Sequence, residues 1–153
     1  MTNTAENNDL MTETLFFEDM RILQSLCGEH DRHLKSIAKR LDVKVRVRGN
    51  EIELYGKEPG LAPAKQLLRE LYFIIESGYP LNHVDMVHAI KMIAENPGIQ
   101  LKDIFLDTVV LTHNKKPITP KSFTQKKYVD AIRNYDIVFG IGPAGTGKTY
   151  LAM

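Results

Sequence analysis

Residues Gly142, Pro143, Ala144, Gly145, Thr146, Gly147, Lys148 and Thr149 complete the pattern G-x-x-x-x-G-K-T. This is the residue set and spacing that handling a polyphosphate requires. The glycines allow the backbone to come close and turn its N–H groups toward phosphate oxygens. Lys148 brings a cation to the β/γ-phosphates, and the Thr149 hydroxyl suits Mg²⁺. The chemistry implied is nucleotide binding, with Lys148 as the catalytic, charge-stabilising group. The flanking elements are those the loop needs. Residues 136–141, Asp-Ile-Val-Phe-Gly-Ile, form an apolar run that predicts a buried parallel strand. Residues 150–153, Tyr-Leu-Ala-Met, begin a helix. Strand, glycine-rich loop and helix follow in the order the motif demands. The plainer alternative is a glycine-rich turn at the end of a strand.

A doubly wound parallel sheet buries both faces of its strands and occupies ~100–150 residues. Only the residues from Lys121 to Met153 are left for it here. No acidic residue follows Thr149 to act as the Walker-B carboxylate. The run Ile104-Phe105-Leu106-Asp107 ends in a carboxylate but precedes the loop, so it reads as an ordinary strand or helix edge. The expectation is a fragment carrying the truncated start of a P-loop NTPase domain, inactive by itself. Its strand at 137–141 would have open edges that invite intermolecular pairing.

Composition sets broad bounds. The 153 residues are 43% hydrophobic and 25% charged, with a formal charge of +1. Such a chain is ordinary globular material, and any basic surface must be local. One cysteine, Cys27, excludes an internal disulfide and points to a reducing cytoplasm. The start has neither the basic residues nor the apolar stretch of a secretory signal, and no run approaches the ~20 apolar residues of a membrane span.

Along the chain, residues 1–14 read as a disordered tail and 15–17 as a short strand. Residues 18–26 carry Met20, Ile22, Leu23 and Leu26 at helical spacing. Gly28-Glu29-His30-Asp31 interrupts that pattern, and Leu34, Ile37, Ala38 and Leu41 resume it. From Val43 the period becomes two: Val43, Val45 and Val47 face a core, while Lys44, Arg46 and Arg48 face out. Gly49-Asn50 makes a hairpin turn into 51–55. The register sets Val47 against Ile52, Val45 against Leu54, Arg48 against Glu51 and Arg46 against Glu53. A third helix, with Pro63 near its first turn, runs through Leu67, Leu68, Leu71, Ile74 and Ile75 to Gly78. The order over 15–78 is β-α-turn-α-β-β-α. Residues 79–120 read as a helical connector, with Asn82 as an N-cap and a helix to Glu95, followed by a basic, proline-containing linker from 113. A helix at 124–133 leads into the loop segment.

The tail from Gln125 to Ala152, and above all Gly-Pro-Ala-Gly-Thr-Gly-Lys-Thr-Tyr-Leu-Ala, resembles the PhoH-like ATPases. The upstream lobe, ending Arg48-Gly-Asn-Glu-Ile-Glu-Leu-Tyr-Gly56, is similar to that family's small N-terminal domain, which resembles a type I KH domain. The resemblance implies a cytoplasmic ATPase linked to RNA or to an RNA-processing protein, homo-oligomeric when intact, with ATP and Mg²⁺ as cofactors. The family's pattern lands on Gly142, Gly145, Gly147, Lys148 and Thr149 as phosphate and Mg²⁺ ligands. It also lands on Gln125 as an adenine contact, because an amide both donates and accepts, as the N6/N7 edge of adenine requires. Before Gln125, the residues Pro120-Lys-Ser-Phe-Thr124 depart from the family's usual Pro-Lys-Thr-Pro-Gly.

A KH domain clamps a nucleic-acid backbone with a Gly-x-x-Gly loop between its first two helices. Gly28-Glu29-His30-Asp31 lacks the second glycine and places two carboxylates there. Lys35, Lys39, Arg40, Lys44, Arg46 and Arg48 offer a basic strip instead. Alternatively, Arg46 and Arg48 pair with Glu53 and Glu51 on a solvated face, and the lobe is a scaffold or partner-docking module. Cys27, His30 and His33 are too tightly spaced for zinc, with no evident fourth ligand. His83 and His88 fall on different sides of a helix. Three readings remain open on these residues: an ATPase acting on RNA or a ribonucleoprotein, with or without helicase-like action, a non-catalytic KH-like RNA or protein interaction module, and a P-loop kinase.

Overall fold

Alternation of valine with lysine and arginine makes strand β2 (Val43–Arg48), and the chain returns as β3 (Glu51–Gly56). The turn between them needs a residue that tolerates the left-handed region, and Gly49 takes φ 57 there. The observed register is the one the pattern predicts: Val45 opposite Leu54, Val47 opposite Ile52, Arg46 opposite Glu53 and Arg48 opposite Glu51. A further strand, β1 (Met11–Phe16), pairs antiparallel with the free side of β3, giving the sheet order β1-β3-β2. The computed structural model describes residues 10–111 and 117–153. Residues 11–14, expected to belong to a disordered tail, are therefore paired strand, while residues 1–9 of that tail lie outside the described residues. Threonine and glutamate dilute the apolar signal of β1, and its order comes from the ladder with β3.

Helix α1 (Met20–Cys27) packs on α2 (Arg32–Leu41) and α3 (Glu58–Glu76), and α2 and α3 pack on the sheet. Asp19 caps α1: its Oδ1 accepts the Arg21 N–H at 2.7 Å, and its own N–H donates to the Tyr72 hydroxyl of α3 at 2.9 Å. The Arg21 N–H, more than any other influence, holds the Asp19 carboxyl below its ordinary value. The core joins Leu15, Ile52 and Leu54 of the sheet to Leu23, Leu26, Ile37, Leu67, Leu68, Leu71 and Ile74 of the helices. Each such side chain contributes about 1.5–3 kcal/mol by leaving water. Helix α3 starts at Glu58 rather than near Pro63: Pro59 occupies its first turn and Pro63 lies inside it. Gly60 permits this early start, because a Cβ there would stand 2.0 Å from the Leu41 carbonyl oxygen.

Two expectations for the hairpin change. Val43 is buried, Val45 half-buried and Val47 exposed at 37%, so the helical cover thins along β2. Arg46 and Arg48 stand opposite Glu53 and Glu51, yet neither pair closes a salt bridge among the described residues; Glu53 instead accepts the Tyr55 hydroxyl.

Helix α4 (His83–Glu95) is capped as predicted by Asn82, whose Oδ1 accepts the Asp85 N–H at 2.9 Å. It packs on α2 and α3. The chain divides into two compact units, the first ending at Ile99 and the second beginning at Gln100, so the segment expected as a connector, 79–120, is shared between them.

The second unit contains α5 (Lys102–Phe105), β4 (Val110–Leu111), β5 (Pro117–Ile118), α6 (Phe123–Asn134) and α7 (Lys148–Ala152). β4 and β5 pair antiparallel. Residues 112–116 of the basic linker lie outside the described residues. Asp107, at the end of the apolar run before the loop, is clasped by Lys126 Nζ at 3.0 Å and Arg133 Nη1 at 2.8 Å. Burial raises its carboxyl, but the hydrogen bonds and charges of Arg133 and Lys126 outweigh burial and hold it below the ordinary value. The run 136–141 is not the buried parallel strand expected. It joins no ladder, and Ile137, Phe139 and Ile141 are 76%, 85% and 96% exposed. The doubly wound sheet is absent among the described residues, and without a neighbouring strand an apolar run has nothing to bury against. Among the described residues, no helix is long and apolar enough to cross a membrane.

Candidate nucleotide site

Helix α6 opens on Ser122, whose Oγ accepts the Gln125 N–H at 3.2 Å. This cap fixes the first turn and aims the Gln125 side chain. Its Oε1 accepts the Lys121 N–H at 2.6 Å, and its Nε2 donates to the Thr146 carbonyl at 3.2 Å. Gln125 thus ties the start of α6 to the glycine-rich loop.

Two glycines shape that loop. Gly145 and Gly147 take φ 77 and 82, a region that L side chains rarely adopt, and a Cβ on Gly147 would stand 3.3 Å from Gln125 Nε2. Immediately after Gly147 the chain turns into α7 at Lys148. The Lys148 ammonium points back into the loop, donating to the carbonyls of Gly142 at 2.9 Å and Pro143 at 2.6 Å and to Thr146 Oγ1 at 3.2 Å. Thr146 Oγ1 in turn donates to the Pro143 carbonyl at 2.9 Å. The loop closes around one point, and the lysine head group lies there.

Beside it is a cavity of about 660 Å³, whose walls include Gln125, Tyr128, Phe139, Gly142, Thr146 and Lys148. Pro143 and Ile141 complete the loop side, and Gly140 lies so close to Tyr128 that a Cβ would come within 2.9 Å of its ring. The structure therefore brings together Gln125, Gly142, Pro143, Thr146 and Lys148 from the predicted set. Ala144, Gly145, Gly147 and Thr149 belong to the same loop and turn without lining the cavity, and the Thr149 hydroxyl has no hydrogen-bond partner among the described residues. Sequence reading missed Tyr128 and Phe139. Tyr128 had a signal, since it lies three residues after Gln125 on the same helical face.

In the first unit, Cys27, His30 and His33 do not assemble: no group of three or more His, Cys, Asp or Glu among the described residues is placed to hold a metal ion. Cys27 is buried, and burial pushes its thiol up to about 11. His33 turns inward, with Nδ1 3.0 Å from the Leu26 carbonyl oxygen, and desolvation lowers its pKa.

The sequence profile described as PhoH-like protein matches residues 117–153. The chain is 39% identical over 132 residues to a PhoH-like protein of Mycobacterium leprae, an overlap covering 86% of this chain and 38% of that protein. Its identity to a PhoH-like protein of Bacillus subtilis is 36% over 129 residues, covering 84% of this chain and 40% of the other. A PhoH-like protein of Synechocystis sp. is 32% identical over 130 residues, or 84% and 39% of the two chains. This chain spans 37–40% of the length of these curated relatives and of their Mycobacterium tuberculosis counterpart. No solved structure matches it.

Proposed function

We propose, from a chain similar to PhoH-like proteins over most of its length, that residues 142–149 hold the phosphates of ATP together with Mg²⁺. The carrying observation is the Lys148 ammonium, which lies within 3.2 Å of three oxygens of the loop that encloses it. The donor set fits the group. Glycines at positive φ bend the backbone around the ammonium, and hydroxyls stand at Thr146 and Thr149. When bound, ATP and Mg²⁺ supply the transferable phosphoryl group and the charge that neutralises it. Lys148 would exchange its loop carbonyls for β/γ-phosphate oxygens, and Thr149 would turn its hydroxyl to the metal. Gln125 would release Thr146 to meet the N6/N7 edge of adenine, a movement its amide permits because it both donates and accepts.

The same reading makes the whole protein a cytoplasmic, homo-oligomeric ATPase acting on RNA or a ribonucleoprotein in a helicase-like manner. The first unit, with its order β-α-α-β-β-α, would be its KH-like lobe. Titration of a fluorescent ATP analogue onto the chain tests the loop assignment. Lys148→Ala should weaken binding about tenfold or more, and Thr149→Ala should cost more affinity with Mg²⁺ present than in its absence. Nucleotide binding that is indifferent to Lys148→Ala would refute the site.

A further inference from the structure

Helix α2 buries His33, Leu34, Ile37 and Leu41. The positions on its opposite face are Arg32, Lys35, Ser36 and Lys39, spaced i, i+3, i+4, i+7 and hence aligned along the helix. This face forms one wall of a groove. With Glu29 and His30 before it and His83 at the start of α4, it lines a cavity of about 500 Å³.

Three permanent cations meet a single carboxylate in this lining, and none of the three closes an ion pair among the described residues. Lys35 Nζ donates instead to the His30 carbonyl at 2.8 Å, and Ser36 Oγ donates to the Arg32 carbonyl. The turn at the mouth of the groove holds His30 and Asp31 at φ 53 and 57, a conformation that non-glycine residues seldom adopt. On the far wall, His83 Nδ1 is buried without a hydrogen-bond partner among the described residues, and its ring lies parallel to that of His33 with centroids 6.0 Å apart.

We propose that this groove between α2 and the start of α4 is a track for the phosphate backbone of single-stranded RNA. The proposal deepens the RNA part of the function proposed above and rests on that reading, while making no use of the nucleotide loop. Three features choose this occupant. The unpaired charge is positive and arranged as a line, with one cation per helical turn of about 5.4 Å, a step comparable to that between successive phosphates of a single strand. Among the described residues, no apolar side chain lines this cavity, whereas a protein partner is held mainly by buried aromatic or aliphatic anchors. The exposed imidazole of His30 at the mouth offers a surface on which an unpaired base stacks. The groove also differs from a Gly-x-x-Gly clamp. Glu29 and Asp31 occupy the turn where such a clamp admits phosphate, and the cations lie along α2 beyond it.

Fluorescence anisotropy of a labelled oligouridylate with the whole chain, at several salt concentrations, tests this. Lys35→Glu combined with Lys39→Glu should lower affinity at least about tenfold and reduce the salt slope by roughly 1.4, since each lost phosphate contact removes about 0.7. Lys35→Gln with Lys39→Gln, gentler on the fold, should show the same flattening with a smaller loss. Lys44→Glu with Arg46→Glu on the exposed sheet face is the charge-matched comparison and should change affinity less than about threefold. Three outcomes would overturn the proposal: no binding by the parent chain, equal losses from the helix and sheet variants, or tighter binding of a polyglutamate peptide at the same residues. Oligonucleotide affinity unchanged in Lys148→Ala, with ATP-analogue binding unchanged in the α2 variants, keeps failure of this site distinct from failure of the nucleotide loop.

Discussion

Strand β3 and residues 137–141 are nearly equal in length, and both carry large apolar side chains, yet they have opposite fates. Ile52 and Leu54 are wholly buried, with β1 on one side of their strand and β2 on the other. Ile137, Phe139 and Ile141 lie almost fully in solvent, and their backbone joins no ladder. Hydrophobic side chains create the tendency to be buried, but a strand is stabilised by its neighbours' hydrogen bonds and cross-strand pairs. The hairpin brings β2 to β3 with a two-residue turn, so the pairing costs little chain entropy. No equivalent partner for 137–141 stands beside it among the described residues.

Hydrogen exchange should show this contrast most strongly. Amides of Ile52 and Leu54 are expected to exchange on the order of 10³-fold or more slowly than those of Ile137 and Phe139, since core strands open only with the whole unit. Comparable protection in both segments would mean that 137–141 is paired in solution. Side-chain truncation should repeat the pattern in equilibrium stability. Leu71→Ala, in the core above the sheet, should cost about 2–5 kcal/mol in urea unfolding. Phe139→Ala should stay within about 0.5 kcal/mol, as exposed positions do; a larger cost would reveal a packing partner for the loop segment.

Gly60→Ala probes how closely the first unit is packed. Alanine favours helices over glycine by about 1 kcal/mol, but its Cβ would meet the Leu41 carbonyl at 2.0 Å, so a net loss of about 1–3 kcal/mol is expected. A stabilised variant would show that α3 can shift away from α2 without cost. The smallest effect should come from His33. Its pKa in the folded unit lies below the ordinary 6.5, mainly through desolvation, so the unfolded chain binds the proton more readily. Its stabilising contribution is complete above about pH 6.5 and is lost as pH falls through the lower folded value. Urea midpoints should therefore decline on acidification, and the decline should flatten in His33→Gln.

Much of the first unit was legible because its signals are local. Period two at Val43–Arg48 and a short turn fix a register with no freedom to slip, as the observed Val45–Leu54 and Val47–Ile52 pairs show. Asn82 caps α4 because its side chain reaches an N–H three residues on. The strand at Met11 and the early start of α3 were not legible, because each depends on a contact distant in sequence: β1 on β3, and Gly60 on Leu41. For the loop, residue types alone named Gly142, Gly145, Gly147, Lys148 and Thr149, since the pattern demands them. The engagement of Gln125 with Thr146, and Tyr128 and Phe139 as cavity walls, appear only when α6 and the loop are placed together.

The sequence by itself determined which residues carry the glycine-rich loop pattern, where α4 is capped and how the hairpin registers, because those properties are set by side-chain chemistry and short-range spacing. Tertiary structure decided which apolar runs are covered, which carboxylates find cations and which cations stay unpaired. Asp107 found Lys126 and Arg133, whereas Arg46 and Arg48 found no carboxylate partner among the described residues despite facing glutamates in register. The physical reason is that burial and ion pairing depend on distances across the folded chain, which spacing along the sequence does not fix.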